Sequence, residues 1–312
     1  MPKTALLFPG QGAQFVGMGK DLAEAFPAAK AVFAQADKLL DFPLSRVCFE
    51  GPEADLNKTD VSQPAILAHS WAVFEVLKST EKGRALIDRG LVAAGLSLGE
   101  YSALAAAGAM SWADALKLVR ARGRYMQEAC VIKPSTMASI VGLDDDKLEA
   151  AVAPARALGV CVLANFNAPG QVAISGEKPA IEEAMKLAKA AGAKLIAPLA
   201  VAGAFHSPLM EPARERLAKE IDATKFSVPR IGVVANVDAA ESRDPAVLKQ
   251  NLVRQLTVPV LWAKSMQKLV DQGYDEFVEI GPGTVLAGLL KRTAKTAARL
   301  SLGKPDDLKA FA

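Results

Sequence analysis

Ser97 stands between two glycines in Gly95-Leu96-Ser97-Leu98-Gly99, where an apolar run gives way to small residues continuing to Ala107. A serine at a strand-to-helix turn of this kind is a nucleophile pattern. The turn holds the serine in a strained conformation, and the flanking glycines let strand and helix cross closely. The free N–H groups at the start of the following helix face the place where an anion would form. Such a serine needs a base, and the chain has two histidines. His69 lies in an apolar run with Ile66, Leu67, Trp71, Val73, Phe74 and Leu77, whose spacing predicts a helix with His69 at the edge of its packed face. His206 lies in Gly203-Ala204-Phe205-His206-Ser207-Pro208, after an apolar strand and before a helix whose polar face carries Arg214, Glu215 and Lys219. A solvent-exposed loop residue is the plain alternative for it. Catalytic groups concentrate in loops at strand ends, and a histidine following the serine in the chain is the order of α/β-hydrolase-like sites. His206 is therefore the expected general base.

A third residue is out of place. Ser111 opens a helix, with Asp114 as its capping-box partner. Trp112, Ala115, Leu118, Val119 and Met126 share one face of that helix, and Lys117, Arg120 and Arg124 lie opposite. Arg122 falls in the apolar face. A buried guanidinium needs an anion. An internal salt bridge or snorkelling to the surface would supply a partner. So would the free carboxylate of an acyl substrate, which an arginine fork holds by two parallel bonds. A simple esterase has no use for such a group.

Phe8-Pro9-Gly10-Gln11-Gly12-Ala13-Gln14 follows the first apolar strand. Its Gly-x-Gly invites a dinucleotide reading, but Phe15 occupies the third glycine's place and no acidic residue closes a second strand. The better reading is an oxyanion hole, with one backbone N–H from Leu98, next to the serine, and the other from Gln11.

These residues need a scaffold. Strands are expected at 4–8, 91–94, 231–235 and 277–280, alternating with helical patterns, which argues an α/β protein with a mostly parallel sheet. Loops at the carboxyl ends of such strands form the ligand crevice. The middle of the chain reads as strand 137–142, helix 145–158, strands 161–165 and 171–175, helix 180–191 and strand 194–201. That β-α-β-β-α-β order is the ferredoxin-like unit. The expected organisation is a large subdomain of 1–134 and 203–312 with an inserted small subdomain at 135–202, and a site using Ser97 and His206 lies between them. The 312 residues, 51% hydrophobic, form an ordinary globular composition. A net charge of +3 gives no footing for nucleic acid. Cys48, Cys130 and Cys161 have no metal-like spacing and favour a reducing cytoplasm. The apolar N-terminal run is too short for a signal peptide, and no segment is long enough to span a membrane.

Taken together, the residues resemble the malonyl-CoA:acyl-carrier-protein transacylases of fatty-acid synthesis along nearly the whole chain. The markers are Phe8-Pro9-Gly10-Gln11-Gly12, Ser97-Leu98-Gly99-Glu100-Tyr101, Arg122, Asn165-Phe166-Asn167-Ala168-Pro169-Gly170-Gln171, His206, Asn236-Val237, Arg254-Gln255-Leu256 and Glu279-Ile280-Gly281-Pro282-Gly283. The resemblance implies a hydrolase-like large part with a ferredoxin-like insert. It implies that Ser97 takes the malonyl group as an ester, that His206 is its base, that Arg122 binds the malonyl carboxylate, and that Gln11 and Leu98 supply the oxyanion-hole amides. It also implies that the main-chain carbonyl of Gln255 orients the histidine in place of a triad acid. Leu96 stands where many members have a histidine. Phe205 before His206 leans towards malonyl over methylmalonyl.

The implied reaction is ping-pong transfer from malonyl-CoA to the phosphopantetheine thiol of an acyl carrier protein. No bound cofactor or metal is expected, and the partners are malonyl-CoA and the carrier protein. A cytoplasmic monomer is the default. The rivals are an acyltransferase of a polyketide-type pathway and a serine esterase or thioesterase. Lys186, Lys189, Lys194, Lys291 and Arg292 are candidates for docking an acidic carrier, or simply solvated faces. Ser97→Ala should abolish the acyl-enzyme and leave the fold intact. Labelled malonyl-CoA checks this, and a stable ester label on the variant would refute the mechanism.

Overall fold

A computed structural model of the chain describes residues 2–40 and 42–311 and arranges ten strands in two sheets. In chain order they are β1 (Thr4–Phe8), β2 (Gly90–Gly95), β3 (Ser135–Val141), β4 (Cys161–Ala168), β5 (Gln171–Glu177), β6 (Leu195–Pro198), β7 (Gly232–Val234), β8 (Glu241–Ser242), β9 (Glu276–Ile280) and β10 (Ala298–Leu302). The larger sheet has the order β10-β9-β1-β2-β7-β8, parallel except for the β7–β8 pair. Its central strands are apolar on both sides because helices cover both faces. Along β1, Leu6 and Phe8 enter one core while Ala5 and Leu7 enter the other. The first core holds the helices Thr59–Ser79 and Trp112–Cys130, and the second holds Trp262–Asp271 and Val285–Thr293.

The smaller sheet runs β4-β5-β3-β6, antiparallel throughout, and carries its own core against the helices Asp145–Val152 and Lys178–Ala190. The fold is thus α/β, a hydrolase-like large subdomain with a ferredoxin-like small one inserted between β2 and β7. Backbone hydrogen bonds tie β4 of the small sheet to the segment at Val260, which is tied in turn to Asn236. Phe166 N–H donates to the Val260 carbonyl at 2.9 Å, Val260 N–H to Ala164 at 2.8 Å, and Leu261 N–H to Asn236 at 2.8 Å.

Several elements differ from the sequence expectation. The helix expected over 145–158 is α-helical only to Val152 and continues as a 3-10 helix, Ala153–Leu158. Pro154 lacks an N–H and its ring crowds the preceding turn. The strand expected over 194–201 is Leu195–Pro198. The edge strands β8 and β10 had no apolar run to announce them, being exposed or half-buried over most of their length. Asp114 does not complete a capping box. Ser111 Oγ accepts the Asp114 N–H at 3.0 Å, but the carboxylate receives the serine hydroxyl at 2.6 Å. Among the described residues, no helix is long and apolar enough to cross a membrane.

The crossing of β2 and the helix Gly99–Ala107 depends on two missing side chains. A Cβ at Gly95 would lie 1.9 Å from the Gly99 carbonyl carbon, and one at Gly99 would lie 2.1 Å from the Phe8 carbonyl oxygen. Both clashes are with backbone, which cannot rotate away. Gly99→Ala should destabilise the protein by about 1–3 kcal/mol or more, as overpacking does. Urea unfolding measures it, and an unchanged midpoint would show that the backbones part at no cost.

Candidate active site

The β2-to-helix turn holds Ser97 at φ 53°, and the loop before the 3-10 turn Pro208–Met210 holds His206 at φ 55°. Both lie in the left-handed region, unfavourable for residues with a Cβ, and such strain persists only where surroundings over-determine it. They do here. Ser97 N–H donates to Asn236 Oδ1 at 2.7 Å, Asn236 Nδ2 donates to the Gly95 carbonyl at 2.8 Å, and Gln255 Nε2 donates to the Ser97 carbonyl at 3.0 Å. Around His206, Ser207 Oγ donates to the Ala204 carbonyl at 2.7 Å. From the small sheet, Ser175 Oγ donates to the Phe205 carbonyl at 2.6 Å, and Ser135 Oγ accepts the Ala204 N–H at 3.2 Å. The insert therefore clamps the histidine loop.

His206 Nε2 lies 2.8 Å from Ser97 Oγ, and its Nδ1 lies 2.8 Å from the Gln255 carbonyl. A carbonyl can only accept, so the proton sits on Nδ1 and Nε2 is left as the acceptor for the serine hydroxyl. Burial, reinforced by the Arg122 cation and opposed by the Gln255 carbonyl, pulls the His206 pKa down to about 4. The imidazole is thus neutral at ordinary pH. His206 is 4% exposed, so the solvent-exposed loop reading does not hold. His69 is not at the edge of a packed face either. It is buried inside the helix Thr59–Ser79, and desolvation pushes its pKa down to about 3.

Arg122 is 1% exposed. It neither snorkels nor forms an ion pair with a carboxylate among the described residues. Its Nη1 donates to Gln63 Oε1 at 2.7 Å, and its Nη2 donates to Ser97 Oγ at 3.0 Å and Gln255 Oε1 at 3.1 Å. Its Nε is buried without a partner. Burial pushes its pKa below the usual arginine range. A cation held beside the Ser97 hydroxyl by neutral oxygens alone is electrostatically incomplete. The cleft at Ser97 and His206, about 470 Å³, is lined also by Gln11 and Gly12 of the first loop, Leu96 of the turn, Asn165 and Ala173 of the small sheet, and Phe205. Leu98 is buried at the start of the helix behind Ser97. Of the docking candidates, Lys186 and Lys189 lie on Lys178–Ala190, and Lys291 and Arg292 in the last turn of Val285–Thr293.

Sequence reasoning missed Gln63, the Asn236 side chain, the Gln255 side chain and Glu100. Glu100 is fully buried, and desolvation pushes its carboxyl up to about 7 against the hydrogen bonds from Gln255 and Asn236. A polar residue opening an apolar helix run, as Gln63 does before Pro64 and Ile66, was the one available signal.

A strained serine, a neutral histidine in contact with it and a buried cation within 3.0 Å of its oxygen make a site for acyl transfer. The chain belongs to the acyl transferase domain family, which matches residues 5–306. Within that class it is 43% identical to the malonyl CoA-acyl carrier protein transacylase of Bacillus subtilis, over 99% of this chain and 96% of the relative. It superposes on the acyl carrier protein S-malonyltransferase of Vibrio cholerae with a TM-score of 0.93 at 42% identity, covering 99% of this chain and 100% of that one. It also superposes on the malonyl-transacylase solved in complex with a type II polyketide acyl-carrier protein, with a TM-score of 0.93 at 40% identity over 98% and 97% of the two chains.

The two depressed histidines make a direct test. Each binds a proton on unfolding that it does not bind when folded, so stability rises with pH from the folded values of about 4 and about 3 up to the unfolded value of 6.5. In the folded protein neither imidazole resonance should move between about pH 5 and 8. An NMR titration with a midpoint near the free-histidine value would contradict the geometry.

Proposed function

We propose that this protein moves the malonyl group of malonyl-CoA to the phosphopantetheine thiol of an acyl carrier protein through an ester on Ser97. The observation that carries the reading is Arg122, a buried guanidinium with neutral partners, an unpaired Nε and a hydrogen bond to the nucleophile itself. A three-carbon diacid esterified on Ser97 Oγ can fold its free carboxylate back onto that fork, supplying the missing anion. An uncharged acyl chain would leave the cation unpaired. The names of the relatives support the same donor and acceptor.

Ser97 Oγ attacks the thioester carbonyl while His206 Nε2 takes its proton. The backbone N–H groups of Leu98 and Gln11 hold the resulting oxyanion. Collapse expels the coenzyme A thiolate, which His206 protonates. The carrier thiol then enters, His206 takes its proton, and the second collapse returns that proton to Ser97 as the malonyl thioester leaves. Gln255, through its carbonyl, keeps Nε2 aimed at Oγ. A neutral carbonyl there stabilises the imidazolium less than a carboxylate would, consistent with the low pKa of His206.

We place the subdomain boundaries at 1–134 with 203–312, and at 135–202, supported by the confinement of the small sheet to residues 135–198. The proposed working unit is a monomer. Three buried, unpaired cysteines suit the cytoplasm. A carrier of polyketide synthesis is the second reading, favoured by the similarity to the polyketide transacylase complex. Comparing malonyl transfer to the two kinds of carrier separates them.

Arg122→Ala tests the donor. It should cost malonyl transfer about 2–5 kcal/mol, as loss of one partner of a buried charged contact does. Removing the unpaired cation should also make acetyl-CoA relatively better. The measurement is kcat/KM for both donors in wild type and variant. Equal losses for both would make Arg122 structural and overturn the malonyl reading.

A further inference from the structure

Glu100 lies one turn beyond Ser97, 1% exposed, and touches none of the reacting atoms. Its Oε2 accepts Gln255 Nε2 at 2.7 Å and the Asn236 backbone N–H at 3.0 Å, and its Oε1 is buried without a partner. Those two contacts reach both sides of the site. Asn236 holds the Ser97 N–H and the Gly95 carbonyl. Gln255 holds His206 through its main chain, and Ser97 and Arg122 through its side chain.

The polarity of these bonds is the informative part. A side-chain amide has an oxygen end and a nitrogen end that differ only in what they bond. Glu100 Oε2 and the Ser97 carbonyl are both acceptors, so together they require the nitrogen of Gln255. The oxygen must then turn to Arg122, which can only donate. With no acceptor at position 100, only the Ser97 carbonyl and Arg122 would hold the amide in this sense, and an amide turned over would set its nitrogen against the guanidinium. Arg122 would lose one of its three acceptors, and Gln255 would lose its hold on Ser97.

We propose that Glu100 is a positioning residue for acyl transfer: by accepting from Asn236 and Gln255 at one oxygen, it sets the direction of the hydrogen bonds that hold Ser97, His206 and Arg122 in register. The proposal rests on the acyl-transfer reading of the site. Its requirement is an acceptor at the place of Oε2, not a negative charge. Glutamine, whose amide oxygen can occupy that place, satisfies it. Aspartate, an acid one methylene shorter, withdraws the acceptor.

The test uses the full chain with Glu100→Gln, Glu100→Asp and Glu100→Ala. A fluorophosphonate measures the reactivity of the Ser97–His206 pair whatever its natural donor, and malonyl-CoA measures acyl transfer in parallel. Displacement of catalytic groups by an ångström can cost about a hundredfold, so Glu100→Ala should lose about tenfold to a hundredfold in phosphonylation rate and in kcat. KM for malonyl-CoA should stay within about threefold, because the contacts of Arg122 with Gln63 and Ser97 remain. Glu100→Gln should recover most of the rate and exceed Glu100→Asp. Should Glu100→Ala not fold, the ranking of glutamine over aspartate decides alone. Alanine as fast as wild type, or aspartate faster than glutamine, overturns the proposal. A wild type that reacts with the fluorophosphonate but takes no label from malonyl-CoA overturns the malonyl reading instead, and the phosphonylation ranking still judges Glu100.

Discussion

A guanidinium buried without a carboxylate is the interaction on which the rest of this structure turns. Taking an unpaired cation out of water costs several kcal/mol even after relaxation, by general estimates. The fold meets part of that cost with neutral oxygens from three separate places, Gln63 on the helix Thr59–Ser79, Gln255 at the end of the helix Pro245–Gln255, and Ser97 itself. Each of those elements must therefore converge on Arg122. Burial lowers the proton affinity of His206 most, and the same cation lowers it further, so the proposed substrate-recognising group helps to keep the imidazole neutral.

Strain is the second constraint, and it is shared between the subdomains. Ser97 and His206, both at positive φ, carry about 1–3 kcal/mol each of backbone strain by general estimates. The large part of the chain holds the serine through Asn236, just past β7, and through Gln255, at the end of the helix Pro245–Gln255. The small sheet holds the histidine loop through Ser135 and Ser175, on β3 and β5. Neither sheet by itself assembles the pair. The hydrogen bonds between β4 and Val260 keep the two clamps in register.

Much of this was legible in the residue string because it is local. A strand buried on both faces is a near-continuous apolar run, and β1 and β2 read that way, as β9 does apart from Glu276 and Glu279. The glycines at 95 and 99 announce a close crossing, and the backbone atoms 1.9 Å and 2.1 Å from their missing Cβ positions are its physical content. Arg122 was conspicuous because helical periodicity placed it among Ala115, Leu118 and Val119. What periodicity could not reveal were the edge strands β8 and β10, which depend on a neighbouring strand more than on their own composition. The break at Val152 was foreseeable from Pro154, whose ring cannot continue an α-helical ladder.

The residues with chemical character, Ser97, His206 and Arg122, stood out by type and spacing alone, and so did the mostly parallel α/β scaffold with its inserted unit. Tertiary structure alone decided what surrounds them. The helical wheel left the partner of Arg122 open among a salt bridge, the surface and a ligand. The fold closed the first two by bringing up Gln63 and Gln255, 59 and 133 residues away in the chain. Asn236 and Glu100 are likewise ordinary polar residues until residues 139 and 155 positions distant meet them. An amide or a buried acid has no periodic signature. Its role is set by which donors and acceptors the packed chain places within 3 Å or so, and that is a property of long-range contacts, not of sequence spacing.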